Sequence, residues 1–184
     1  MSISLGSPCC AAAAADTTPT GMERELAHEL TLRAYGRYTV TQETINHRRD
    51  RMDILVQADG APDQLAIEIK HGGKGWSVRQ LLDALEMQLG EGYLRPDTRR
   101  HGILIVTHHG TRDHWQHPET SAPLLFPDLM ALLRSRAVAL TTGQHHTRTL
   151  RAIGLDAVPF DEGPASGRKH SLQPKQVWEA LQPQ

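Results

Sequence analysis

Apolar side chains recur along this chain in two rhythms. Between residues 22 and 35, Met22, Leu26, Leu30 and Ala34 fall every four positions. That spacing predicts an amphipathic helix, with Thr18 or Thr20 as its cap and Gly36 as its stop. Residues 38–44 are rich in aromatic and β-branched side chains and predict a strand. Residues 52–57 and 65–70 predict two more, joined by the turn-forming run Ala-Asp-Gly-Ala-Pro-Asp. A glycine-rich loop, 71–75, leads to a helix predicted over 78–89. Ser77 and Gln80 fit a capping box, and Val78, Leu81, Leu82, Leu85 and Leu89 form its buried stripe. Residues 102–107 are continuously apolar, as in a strand covered on both faces. Pro127 opens a further helix with Leu129, Met130, Leu133 and Ala137 on one side, and 148–158 reads as a last strand. The class is α/β, with a central mixed four-stranded sheet flanked by helices.

The two central strands admit a geometric test. If they pair about the Gly60–Ala61 turn, residue i faces residue 121 − i. Asp53 then lies opposite Glu68, Met52 opposite Ile69, Ile54 opposite Ile67 and Val56 opposite Leu65. Side chains alternate across a strand, so these three apolar pairs share one face, while Arg51, Asp53, Glu68 and Lys70 share the other. Directly opposed Cβ atoms stand about 4.5–5.5 Å apart, where two carboxylates repel. A divalent cation between them removes the conflict. Mg2+ takes oxygen ligands, keeps several waters, and would polarise a phosphodiester and orient a water. Lys70 would stabilise the developing charge or help position that water. For a charged hairpin taken alone, a solvated face with Lys70 and Arg51 neutralising two carboxylates is the simpler alternative.

The run Arg51-Met52-Asp53-Ile54-Leu55-Val56, then Ala66-Ile67-Glu68-Ile69-Lys70, the glycine-rich loop, the capped helix and the apolar strand together resemble the PD-(D/E)xK nuclease superfamily. The likeness spans about residues 22–107, and Met52 stands where the family motif carries proline. It implies a restriction-endonuclease-like core (αβββαβ), Asp53 and Glu68 as ligands of Mg2+ (Mn2+ substituting), and Lys70 as an aid to catalysis. Gln88, followed by Tyr93, resembles a Gln…Tyr element of some family branches, which would bring Gln88 to the active site; an ordinary helix-surface glutamine is the alternative. Family members often take a further metal ligand from the first helix. Glu25 and Glu29 are the candidates, with Glu23 behind them, and a solvated helix face is the alternative for each; Glu43, on the strand 38–44, is a further acidic neighbour.

Charge is balanced, 20 Lys+Arg against 21 Asp+Glu, so any nucleic-acid contact rests on a local patch and not on the net field. His47, Arg48, Arg49 and Arg51 precede Asp53, and Lys74 and Arg79 follow Lys70; they would contact phosphates, although each one singly reads as solvated surface. Arg95, Arg99 and Arg100 precede the fourth strand. Trp76 would stack on a base or, more simply, pack over the helix start. No cysteine or well-placed carboxylate completes a standard zinc pattern for His108, His109, His114 and His117, so they read as a polar loop, and His145 and His146 likewise. Cys9 and Cys10 are adjacent and make no disulfide framework; a cytoplasmic setting is the default. No run approaches a membrane span.

Residues 1–21 are expected to be disordered, 22–160 to form the nuclease-like domain, and 161–184 to be a linker with a helix at 175–181. The expected function is Mg2+-dependent hydrolysis of phosphodiester bonds. DNA is the preferred substrate by resemblance, in restriction, repair or anti-phage defence, with a homodimer or larger complex as the setting. The competing expectation is a nuclease-like module that binds nucleic acid or a protein without cutting.

Overall fold

The computed structural model describes residues 19–45, 51–110, 112–143 and 148–156. The expected tail before residue 19, residues 47–49, His145 and His146, the 161–184 linker and its helix lie outside the described residues. Helix α1 (Pro19–Leu32) starts earlier than its apolar pattern predicts. Proline suits a first helical turn, where its missing N–H has no intrahelical partner, so Thr20 lies inside the helix and not at its cap.

Strands β1 (Tyr38–Ile45), β2 (Arg51–Ala58) and β3 (Gln64–His71) form an antiparallel meander. The β2–β3 partners are Ile54↔Ile67, Leu55↔Ala66, Val56↔Leu65 and Gln57↔Gln64, the register that the sequence predicts. Gly60, at φ +70°, turns the chain between them in a conformation that glycine adopts without a Cβ penalty. A single 3-10 turn, Gly72–Lys74, follows. Here β3 passes β4 so closely that a Cβ on Gly72 would collide with the Thr107 carbonyl.

Helix α2 (Val78–Asp83) begins with the expected capping box: Ser77 Oγ accepts from the Gln80 N–H at 3.2 Å, and Gln80 Oε1 accepts from the Ser77 N–H at 2.9 Å. The predicted α-helix to residue 89 does not hold its form. From Ala84 to Tyr93 the chain is π-helical, closed by the Leu94 N–H donating to the Leu89 carbonyl at 3.0 Å. Leu81, Leu85 and Leu89 advance by four, but the next fully buried leucine is Leu94, five residues on. The wider turn lets that stripe and Tyr93 be buried together.

Strand β4 (Arg99–His108) runs parallel to β3, with 102–107 buried as predicted. A small hairpin, β5 (Trp115–Gln116) and β6 (Pro123–Leu124), precedes helix α3 (Phe126–Gly143), which buries Leu129, Met130, Leu133 and Ala137. Strand β7 (Thr149–Asp156) then joins β4 in parallel. The mixed sheet therefore has five strands, in the order β1-β2-β3-β4-β7, and not four. The fifth belongs to it because α3 supplies a second crossover and Leu150, Ala152 and Ile153 need burial. Among the described residues, no helix is long and apolar enough to cross a membrane.

Each face of the sheet carries a core. Helix α2, the π segment and α3 cover one, over Leu55, Ala66, Leu104 and Val106. Helix α1 covers the other, over Ile54, Ile67, Ile69, Ile103, Ile105 and Ile153. The apolar hairpin face predicted from alternation is the α1 face, with one exception: Met52 packs in the opposite core. The β2–β3 ladder ends at Ile54↔Ile67, and beyond it β2 is paired with β1. Freed from the β3 ladder, the strand carries Met52 toward the helices. The second hairpin face is likewise not a solvated one, because Leu55 and Ala66 lie buried beneath those helices.

Candidate functional site

The site grows from the point where β2 leaves β3. There the Ile69 N–H donates to Asp53 Oδ2 at 2.6 Å, so a side-chain carboxylate serves this amide where the ladder has ended. The ladder stops at Ile54↔Ile67, one residue short of the predicted Asp53–Glu68 pair, and the Asp53 carboxylate bonds the Ile69 amide instead. Glu68 and Lys70 share the face of Ala66 on β3, the face that the π segment covers. Both are buried, Glu68 to 3% exposure. Lys70 Nζ donates to Glu68 Oε1 at 2.5 Å and to Gln88 Oε1 at 3.2 Å. Gln88 Nε2 in turn donates to the same Glu68 oxygen at 2.8 Å and to the Tyr93 hydroxyl at 2.6 Å. Gln88 and Tyr93 are five residues apart, the hydrogen-bond repeat of a π-helix. The irregular turn is therefore what sets both polar groups over the strand.

One buried atom in this network is left over: Glu68 Oε2 has no hydrogen-bond partner. The electrostatics agree. Burial pushes the Glu68 carboxyl up to about 7, and the nearby Asp53 charge pushes the same way. The Lys70 charge and hydrogen bonds from Lys70 and Tyr93 oppose the rise without cancelling it. Burial and the Glu68 charge raise the Tyr93 phenol, which stays neutral. Two carboxylates that disturb each other, one with an orphaned oxygen, form a donor set chemically suited to an oxygen-liganded divalent cation.

Other predicted residues go elsewhere. Glu25 is exposed on α1, and Glu29 pairs with Arg33 at 2.9 Å. Among the described residues no three His, Cys, Asp or Glu groups gather as a metal cluster. Lys74 ends the 3-10 turn and Arg79 lies in the first turn of α2, both exposed. Arg51 opens β2, and Arg49 lies outside the described residues. Arg99 donates to Gln64 Oε1 at 2.9 Å, at the far end of β3.

The histidines make several different contacts. His108 lies 3.1 Å from Asp156 Oδ1 and 2.9 Å from the Arg112 carbonyl, against the Phe126 ring. His109 stacks on His71 at 4.2 Å and reaches Thr107 Oγ1 at 2.9 Å; burial and the neighbouring His71 and His108 lower its pKa. His114 is exposed, and His117 Nδ1 accepts two backbone N–H groups of its own turn.

Two further residues border the site. The Trp76 ring lies under the Lys70 ammonium at 4.7 Å, and Arg112 donates to the Trp76 carbonyl at 2.7 Å. The sequence offers Trp76 as a base-stacking or helix-packing ring, not as a partner of Lys70. Nothing in the spacing ties Arg112 to it. No family model, curated protein or solved structure matches the chain.

Proposed function

We propose that this protein is a metal-dependent nuclease with a restriction-endonuclease-like core, hydrolysing phosphodiester bonds and preferring DNA. One observation carries the reading. Buried Glu68 is gripped on one oxygen by Lys70 and Gln88 and left unpartnered on the other, beside a second carboxylate, Asp53. Asp53 and Glu68 would hold Mg2+ or Mn2+, which when bound polarises a phosphate oxygen and makes a water more acidic. Lys70 would hold its positive charge where the attacked phosphate gains negative charge. Gln88 orients both partners, donating to Glu68 and accepting from Lys70, and Tyr93 anchors Gln88. Lys74 and Arg79 would touch backbone phosphates, which fixes register without reading sequence. Restriction, repair or defence against foreign DNA is the fitting context, acting as a homodimer or within a larger complex. A Glu68 carboxyl near 7 competes with the cation for the same oxygens. Activity should therefore rise with pH through about 7.

The test is cleavage of plasmid, single-stranded DNA and RNA in Mg2+ or Mn2+. Asp53→Asn, which keeps an acceptor for the Ile69 N–H, and Lys70→Ala should each lose at least about 10³-fold in rate while remaining folded. A wild-type protein that binds nucleic acid but cuts in neither metal would establish the non-cutting module instead.

A further inference from the structure

Resting on the reading of Lys70 as a catalytic residue, we infer that Trp76 is its positioning residue, and that Arg112 holds Trp76 in place from the β4–β5 loop. An ammonium has three donors and needs all of them matched when taken from water. Glu68 Oε1 and Gln88 Oε1 receive from Lys70, and the Trp76 ring lies on a third side, 4.7 Å from Nζ to centroid. The Lys70 side chain keeps 11% exposure, so water takes little part. Indole is the strongest of the aromatic faces for a cation, and desolvation strengthens the attraction.

The orientation of the ring has a visible cost. Trp76 Nε1 is buried without a hydrogen-bond partner. A buried donor left unmade calls for an explanation. The ring turns its face to Lys70 at the expense of its N–H edge, an arrangement that simple packing over the helix start does not require.

Arg112 fixes the backbone from which the ring projects. Its Nη1 donates to the Trp76 carbonyl at 2.7 Å, its Nε donates to the His114 carbonyl at 3.0 Å, and its guanidinium lies 5.1 Å from the centroid of buried Trp115. His108 contacts the Arg112 carbonyl at 2.9 Å. The segment after β4 thereby becomes part of the site's support, through a chain running Arg112, Trp76, Lys70.

Two measurements test this, one of them independent of cleavage. In proton NMR of the wild-type protein without substrate, the Lys70 ε-methylene signals, identified by their loss in Lys70→Arg, should be shifted upfield by the indole ring current. They should stay shifted in Trp76→Phe and return to ordinary values in Trp76→Leu, which preserves apolar bulk without a ring. In cleavage assays Trp76→Leu should lower kcat on the order of tenfold with KM unchanged. Trp76→Phe should restore most of that loss, and Arg112→Gln should fall between. Unshifted Lys70 signals in wild type overturn the inference, and so does a Trp76→Leu protein whose KM moves and whose kcat does not. If wild type does not cut, the nuclease reading fails while the NMR result still decides whether Trp76 holds Lys70. If Trp76→Leu does not fold, the wild-type shift and the Arg112→Gln rate carry the test.

Discussion

At its turn end the β2–β3 hairpin is an ordinary ladder, four residue pairs from Ile54↔Ile67 to Gln57↔Gln64. At its open end, one residue further, the ladder stops. Asp53 takes the Ile69 N–H, and Glu68 and Lys70 lie buried under the π segment. The two ends draw their stability from different sources. The turn end rests on backbone pairing and on Ile54 and Ile67 against α1. The open end buries charge, which costs free energy unless every polar atom is matched. Glu68 Oε2 is not matched, and burial together with the Asp53 charge raises the Glu68 carboxyl. A place where a fold tolerates such a group is a place to look for chemistry.

Three measurements press on this contrast, the largest effect first. Ile54→Ala removes fully buried bulk at the turn end and should cost about 2–5 kcal/mol in denaturant unfolding, with kcat per folded molecule unchanged. A comparable loss of kcat would mean that the two ends are not separable.

At the open end the effect is one of pH. The folded Glu68 carboxyl, raised from 4.5 to about 7, keeps its proton where the unfolded chain has released it. The Glu68 contribution to metal-free stability should therefore be fully present below about pH 4.5 and be lost, by about 3 kcal/mol, as pH rises through 7. In Glu68→Gln that slope should vanish, and Mg2+ at pH 8 should raise the melting temperature of wild type alone. A wild-type protein whose stability is flat over this window would sink the account of the open end.

The smallest effect belongs to an ion pair outside the hairpin. Arg136 and Glu86 meet at 2.6 Å, as closely as Lys70 and Glu68, but with the Arg136 side chain 46% exposed. Arg136→Ala should cost less than about 1 kcal/mol, read in the same unfolding assay. A cost as large as that of breaking a buried pair would show that burial is not what separates the two.

Much of this was legible in the chain itself. The β2–β3 register was readable because strand side chains alternate, so a slip of one residue would have sent Ile54, Ile67 and Ile69 to the wrong core. The same alternation put Asp53, Glu68 and Lys70 at one end of the hairpin, and the Ser77–Gln80 capping box was visible as a local spacing. Helix α1 starts at Pro19, ahead of the first residue of its apolar pattern, because proline suits a first helical turn whatever the apolar spacing. Met52 was misread because alternation says nothing about where a ladder ends.

What local sequence determined, then, is the set of contacts that depend on near neighbours: register, caps, and the faces of strands. Tertiary structure alone decided the rest. Asp53 reaches the Ile69 amide only because β2 and β3 part company there. Gln88 reaches Glu68 and Tyr93 because the helix changes to a π turn to bury both Tyr93 and Leu94. The fifth strand, the Trp76 ring under Lys70 and its Arg112 clasp join residues far apart in sequence. Such contacts are chosen by packing across the whole sheet, and no periodicity along the chain records them.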